Sequence, residues 1–179
     1  MSDWKVLESC NLFDSPILQL HRERLERPGE QEANWLVVEI SSGAAVLPVH
    51  KNGDVVMISQ YRPALGKRLW ELPAGRIEKG ESPRQAAQRE LQEEAGFAAD
   101  DLQALQPVTP LAGICRHVVH ILVARGLTPC ETRHEPNEDI IIRRFPIDTV
   151  QEMVRTGEIN CGIALGALAQ YLCLVDHAE

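Results

Sequence analysis

Three features are scarce in this sequence: basic residues, paired cysteines and long apolar runs. There are 18 lysines and arginines against 26 acidic residues, a formal net charge of −8. This charge argues against non-specific binding to nucleic acid or to a membrane surface, because both need a basic face. The five cysteines are scattered and contain no C-x-x-C pair. We therefore expect reduced thiols in a cytoplasmic protein, and neither a disulfide framework nor a zinc site.

Targeting and membrane-spanning patterns are also absent. The first ten residues, MSDWKVLESC, lack a basic region followed by an apolar run, so we expect no secretory signal. The most apolar stretch, residues 161–175, is too short to span a bilayer comfortably and is interrupted by Gln170. We expect this stretch to form a buried C-terminal helix.

The first half of the chain predicts strands. Residues 5–40 contain three short strand-like segments, which would be marginal as an isolated sheet. Residues 43–50 and 55–62 predict a hairpin, because the Asn52-Gly53 pair between them suits a type I′ turn.

The end of the chain predicts two helices. The first covers Thr149–Thr156, with Asp148 as N-cap and Gly157 as C-cap, and the second covers residues 162–175. Strands and helices are mixed without a regular βαβ alternation. The predicted fold class is therefore α+β.

A third helix has clear start and stop signals. Ser82 is a good N-cap, Pro83 suits the first helical position, and Gln85 completes a capping-box pattern. Gly96 is a natural C-terminal stop. These signals predict a helix over Pro83–Ala95, preceded by a loop.

The predicted helix has an unusual distribution of charge. Its side chains fall on three faces: an apolar stripe (Ala87, Leu91, Ala95), a glutamine stripe (Gln85, Gln88, Gln92) and an acidic face (Glu90, Glu93, Glu94). Like charges one turn apart cost about 0.2–0.5 kcal/mol per pair, and Arg89 relieves only part of this by a pair with Glu93. Carboxylates are ligands that Mg²⁺ prefers. On spacing alone, a solvated acidic face and a metal site are both open.

The segment from Gly75 to Phe97 matches the Nudix box, G-x5-E-x7-R-E-U-x-E-E-x-G-U, in which U is a bulky apolar residue. The matching residues are Gly75, Glu81, Arg89, Glu90, Leu91, Glu93, Glu94, Gly96 and Phe97. The chain thus resembles Nudix hydrolases. The resemblance implies an α/β/α sandwich with a mixed sheet between helices, and attack of water on one phosphorus of a substrate X–O–P–O–P–Y.

The resemblance also implies a metal site. In the family, carboxylates matching Glu90 and Glu94 hold the metal, usually helped by the one matching Glu93, and the backbone carbonyl of Ala74 matches another ligand. The implied cofactor is Mg²⁺, with Mn²⁺ as the alternative. Bound cations would explain how an acidic protein binds an anionic substrate.

Outside the box, SQYRPALGKRLWELPAGRIEKGE resembles the ADP-ribose pyrophosphatase branch, where Q-[YF]-R-P precedes E-[LF]-P-A-G. This resemblance implies that Arg62 contacts the substrate, since a guanidinium suits bidentate phosphate recognition. Glu71 and Arg116 are further candidates for substrate binding. Arg116 stands near the position where the branch typically has a glutamate after S-P-G, which this chain lacks.

The general base is expected in a loop near the end of the chain. Glu138 matches a loop glutamate described in the family as a catalytic base or an extra metal ligand. Glu135 is the reserve candidate, and Glu93 is the third. Trp4, Phe13 and Trp35 are candidates for stacking a nucleobase, with packing in the core or an interface as the alternative.

The resemblance divides the chain into two domains. Residues 1–42 resemble a small antiparallel sheet that the branch exchanges across a homodimer, and residues 43–179 form the hydrolase domain. Three functional hypotheses follow. Two are hydrolases, one acting on ADP-ribose or an ADP-sugar and the other on GDP-mannose or another nucleotide sugar. The third is a non-catalytic domain that senses a nucleotide. The third is disfavoured because such domains usually lose box glutamates.

Overall fold

The computed structural model of the chain describes residues 4–27, 29, 31–136 and 138–175. The chain forms two compact units, one of Met1–Ser42 with Thr109–Val118 and one of Gly43–Val108 with Val119–Glu179. Unit 1 thus takes in residues 109–118, which the division from sequence had placed in the larger domain. The assignment of a dimer-forming role to the first unit stays a prediction.

Eleven strands and three helices follow one another in the described part of the chain. They are β1 (Lys5–Asp14), β2 (Leu18–Arg27), β3 (Gln31–Ile40), β4 (Gly43–Pro48), β5 (Val55–Arg62), β6 (Lys67–Glu71), β7 (Ala74–Arg76), α1 (Pro83–Ala95), β8 (Phe97–Ala104), β9 (Cys115–Arg116), β10 (Val119–Pro129), β11 (Ile140–Phe145), α2 (Ile147–Arg155) and α3 (Gly162–Val175). None of the described helices is long and apolar enough to cross a membrane.

Unit 1 is a four-stranded sheet in the order β1-β2-β3-β9. The first three strands form an antiparallel meander, and β9 pairs in parallel with β3 through Val38–Cys115 and Glu39–Arg116. The three predicted N-terminal strands are confirmed. The fourth strand comes from a distant part of the sequence, which is why residues 109–118 belong to this unit.

Unit 2 contains a mixed sheet, β7-β4-β10-β8, and a three-stranded antiparallel sheet, β11-β5-β6. The buried strand β4 shows how the layers are built, because its side chains alternate between two apolar cores. Ala45 and Leu47 pack in a core with residues of α2 and α3, whereas Ala44 and Val46 pack in a core with α1. The strands therefore lie between helices on both faces, as the α/β/α prediction required.

Helix α1 begins and ends where its capping signals predicted. Ser82 Oγ accepts a hydrogen bond from the backbone N–H of Gln85, and Gln85 Oε1 accepts one from the N–H of Ser82. Gly96 has a φ of 70°, and its N–H donates to the carbonyl of Gln92. Leu91 is fully buried in the core beneath α1.

The predicted hairpin is wrong in two respects. Strands β4 and β5 belong to different sheets, and an isolated bridge, Val49–Val55, joins the residue after β4 to the first residue of β5. The N–H of Gly53 donates to the carbonyl of His50 at 2.9 Å, so Lys51 and Asn52 occupy the centre of the turn. Gly53 follows with a φ of 86°, as in a three-residue loop.

Helix α2 begins earlier than predicted. The N–H of Val150 donates to the carbonyl of Pro146, and the helix covers Ile147–Arg155 with no side-chain cap. Asp148 therefore lies in the first turn rather than at the N-cap, where its carboxylate still complements the helix dipole. Ile147 gains contact with the apolar core by entering the helix.

Candidate active site on helix α1

Two carboxylates of α1 are buried against strand β7. Glu90 is 8% exposed and Glu94 is 4% exposed. One oxygen of Glu94 accepts a hydrogen bond of 2.7 Å from the backbone N–H of Ala74. A Cβ atom on Gly75 would lie 2.0 Å from Glu90 Oε1. A side chain at position 75 would therefore displace the Glu90 carboxylate from its hydrogen bond with Arg89.

One guanidinium holds the acidic side chains of the loop and helix together. Arg89 donates to both oxygens of Glu81, at 3.0 and 3.1 Å. It also donates to Glu90 at 2.6 Å and to Glu93 at 3.2 Å. A further hydrogen bond reaches the carbonyl of Arg76 at 2.9 Å. Arg89 is therefore more widely engaged than the single pair with Glu93 that the helical spacing suggested.

Burial changes the acidity of this group. Desolvation, reinforced by the neighbouring charges of Glu90 and Glu138, raises the pKa of Glu94 to about 8. Desolvation also raises the pKa of Glu90, although Arg89 opposes the shift. By contrast, hydrogen bonds from Arg89 lower the pKa of Glu81. A counter-charge is thus most needed at Glu94, which Arg89 does not contact.

Within the described ranges, no three acidic, histidine or cysteine side chains gather around one point that could hold a metal ion. The contacts explain this arrangement. Glu81, Glu90 and Glu93 are turned towards Arg89, and Glu94 is bonded to the backbone of β7. The ligand set Ala74, Glu90, Glu93 and Glu94 stays a prediction.

The loop between β10 and β11 brings Glu138 near these carboxylates. The charge of Glu138 contributes to the raised pKa of both Glu90 and Glu94. Glu138 also accepts a hydrogen bond of 2.8 Å from the N–H of Glu135, and its own N–H donates to the carbonyl of Glu135 at 2.9 Å. The two loop candidates for the base therefore lie close together, with Glu135 exposed and Glu138 half-buried, whereas the third candidate, Glu93, lies on α1.

Arg62 and Glu71 form a two-pronged ion pair between β5 and β6. Arg62 Nε and Nη2 donate to the two carboxylate oxygens of Glu71 at 3.0 and 2.5 Å. Glu71 is buried, and this pair raises the pKa of Arg62. Glu71 thus orients the guanidinium, while Nη1 of Arg62 is not part of the fork.

Arg116 belongs to unit 1. Its guanidinium donates to the buried carboxylate of Glu23 at 2.8 Å and lies 3.8 Å from Glu39. Substrate binding by Arg116 stays a prediction.

One polar residue of this region was missed from the sequence. Gln60 is 7% exposed, and its Oε1 has no hydrogen-bond partner among the described residues. It lies on β5 opposite Leu69 and Ile140, two residues before Arg62 and so on the same face of the sheet. The signal in the sequence was the spacing of Gln60 from Arg62, because residues two apart on a strand lie on the same face.

Comparison with known proteins identifies a matching family, similar sequences and a similar fold. The family model described as NUDIX domain matches residues 40–159. The ADP-ribose pyrophosphatase of Mycobacterium tuberculosis is 34% identical over 182 residues, covering 99% of this chain and 87% of that protein. The ADP-ribose pyrophosphatase of Bacillus subtilis is 29% identical over 177 residues, covering 98% and 95%. A crystal structure of an ADP compounds hydrolase has a TM-score of 0.89 at 20% identity, covering 100% and 97%, which confirms the fold.

The shifted pKa of Glu94 predicts how stability depends on pH without metal. Between its ordinary value of 4.5 and about 8 the folded protein binds the extra proton, so stability should fall as pH rises through this window. We expect this contribution to lower the melting temperature in EDTA, measured by calorimetry, as pH rises across the window. Glu94→Gln should flatten the fall, and Glu131→Gln in an exposed position should not. A Glu94→Gln profile parallel to that of the unmodified protein would contradict the assignment.

Proposed function

The chain belongs to the NUDIX family, and on this basis we propose that it is a metal-dependent pyrophosphohydrolase of nucleoside diphosphate derivatives, with ADP-ribose or an ADP-sugar as substrate. The observation that carries the proposal is the buried pair Glu90 and Glu94 against the backbone of β7. Two ADP-ribose pyrophosphatases that align over nearly the whole chain support the choice of substrate.

The chemistry of these donors fits a hard divalent cation. The available ligands are carboxylate oxygens of Glu90, Glu93 and Glu94 together with the backbone carbonyl of Ala74, and oxygen is what Mg²⁺ and Mn²⁺ prefer. The raised pKa of Glu94 supports the fit, because a buried carboxylate beside other acids lacks a counter-charge. A bound cation would neutralise the diphosphate, stabilise the leaving oxygen and lower the pKa of a bound water.

Two side chains of this protein have separate roles in the proposed reaction. Arg62, held in a fixed orientation by Glu71, binds a phosphate oxygen of the substrate. Glu138 accepts a proton from the attacking water, because Glu90 and Glu93 are paired with Arg89 and the helix carboxylates would hold the cation. Attack of water on one phosphorus requires that phosphate binding and proton transfer take place at separate positions.

The substrate class is tested by a panel of ADP-ribose, ADP-sugars, GDP-mannose and other nucleotide sugars, assayed with Mg²⁺ and with Mn²⁺ for release of phosphomonoesters. We expect ADP-ribose or an ADP-sugar to give the highest kcat/KM, and EDTA to abolish turnover. A preference for GDP-mannose would move the chain to the other nucleotide-sugar hydrolases. Binding without hydrolysis across the panel would support the sensor hypothesis instead.

The role of Glu138 is tested by Glu138→Gln, which removes a proton acceptor without changing the size of the side chain. General-base assistance typically contributes about 10²–10⁴-fold, so kcat should fall at least about a hundredfold with little change in KM. If Glu138→Gln keeps more than about a tenth of kcat while Glu135→Gln does not, the two roles are reversed. If neither variant loses activity, Glu93 or metal alone must activate the water.

We also propose that the protein is a homodimer assembled through unit 1. This unit exposes many large apolar side chains, each at least 42% accessible: Trp4, Val6, Leu7, Leu12, Phe13, Ile17, Trp35, Leu36, Leu111 and Ile114. Cover by a second copy of the chain would remove these apolar side chains from water. Strand β1 is also an edge of its sheet, where an uncovered strand invites pairing.

Sedimentation at micromolar concentration should give a species of twice the 20.0 kDa chain mass. Phe13→Asp should shift this species towards monomer, because a charge at the apolar surface would have to be desolvated. Leu65→Asp provides a matched control, since Leu65 is an exposed apolar residue of unit 2. A wild-type monomer under these conditions would rule the dimer out.

A cytoplasmic location is part of the same proposal. All five cysteines are free thiols, which suits the reducing environment of that compartment.

A further inference from the structure

The loop between β10 and β11, named the base loop, is described for residues 130–136 and 138–139 and is hydrogen-bonded to the C-terminal end of α1. A helix leaves its last carbonyls without partners inside the helix, and here two of them are taken by the base loop. The N–H of Arg133 donates to the carbonyl of Glu93 at 2.9 Å, and His134 Nε2 donates to the carbonyl of Glu94 at 3.1 Å. The N–H of Cys130 donates to the carbonyl of Gly96 at 2.8 Å.

These hydrogen bonds are important because of the residues whose carbonyls accept them. Glu93 and Glu94 provide carboxylates at the proposed metal site, and their backbone carbonyls hold the loop that carries Glu138. A carbonyl oxygen can only accept, so His134 Nε2 must carry the hydrogen. Of these contacts between the loop and the helix end, this is the one made by a side chain, and therefore the one that a substitution can remove.

The opposite end of the base loop is fixed to the sheet. Arg68 of β6 donates through Nη1 to the carbonyl of Ser59 at 3.0 Å and to that of Asp139 at 3.1 Å. Its Nη2 forms an ion pair with the Asp139 carboxylate. Asp139 directly follows Glu138, which is itself bonded to Glu135 within the loop. Glu138 is thus held between an anchor on α1 and an anchor on β6.

We propose that His134 is a positioning residue for the hydrolysis reaction: by bonding the carbonyl of Glu94 it sets the place of the Glu138 carboxylate relative to the carboxylates of α1. Arg68 fixes the other side of the same residue. The inference rests on the proposed function, because it explains how the proposed base and the proposed metal ligands keep a constant separation. His134 acts through Glu138 and does not itself contact the substrate.

Two variants of His134 separate the hydrogen bond from the bulk of the ring. His134→Phe keeps a planar ring but cannot donate, whereas His134→Gln keeps an N–H donor. Small displacements of a catalytic group cost up to about a hundredfold in rate, so we expect His134→Phe to lower kcat at least about tenfold with little change in KM. His134→Gln should recover most of this loss. Glu131→Gln, an exposed change in the same loop, should behave like wild type.

The same substitutions are then made in a Glu138→Gln background. If His134 acts through Glu138, His134→Phe should lower kcat less than about twofold there, because coupled residues are not additive. Hydrogen exchange measured on the metal-free proteins provides a readout independent of activity. His134→Phe should speed exchange of the Arg133 amide, whose bond to Glu93 depends on the docked loop.

Equal losses of kcat in both backgrounds would overturn the positioning role, and so would a His134→Phe protein with unchanged kcat or unchanged exchange. Faster exchange in a protein that hydrolyses no member of the substrate panel would instead overturn the proposed function. A Glu138→Gln protein as active as wild type would remove Glu138 as the base, and the role of His134 with it.

Discussion

The structure depends on one constraint: two carboxylates of a helix, Glu90 and Glu94, are buried against the backbone of a short strand. Two features of the neighbouring residues follow from this burial. The absence of a side chain at residue 75 leaves room for the Glu90 carboxylate, which lies where a Cβ would be. Glu94 accepts a hydrogen bond from the N–H of Ala74. Its pKa is still raised, since one hydrogen bond does not offset the cost of burial. A divalent cation would supply the missing charge.

The fold produces this burial through the rotation of α1. The helix packs Leu91 in the core between it and the sheets, and a residue one position away lies 100° around the helix axis. Glu90 is therefore carried to the side that faces β7, and Glu94 follows one turn later. The same end of the helix receives the base loop on its free carbonyls. One helix thus sets the positions of the carboxylates and of Glu138.

Local signals in the sequence predicted much of this arrangement, whereas contacts between residues far apart in the sequence could not be predicted. The capping residues of α1 and its three faces could be predicted because all lie within one turn or two of their partners. The hairpin around Asn52 failed because β4 and β5 find better partners in different sheets. The hydrogen bond from His134 to the carbonyl of Glu94 joins residues 40 positions apart, and no periodicity of the sequence predicts it. The Arg62–Glu71 pair likewise depends on how β5 and β6 align.

The proposed hydrolysis requires a divalent cation on the buried carboxylates of α1. Paramagnetic resonance of added Mn²⁺ tests it most directly, with Glu90→Gln and Glu94→Gln compared with wild type and with Glu131→Gln. Both glutamines keep the shape of the side chain and remove its charge, so we expect folded proteins with weak Mn²⁺ binding and little turnover. Mn²⁺ binding and turnover within about threefold of wild type in both variants would contradict it, since loss of a charged ligand should cost more than that.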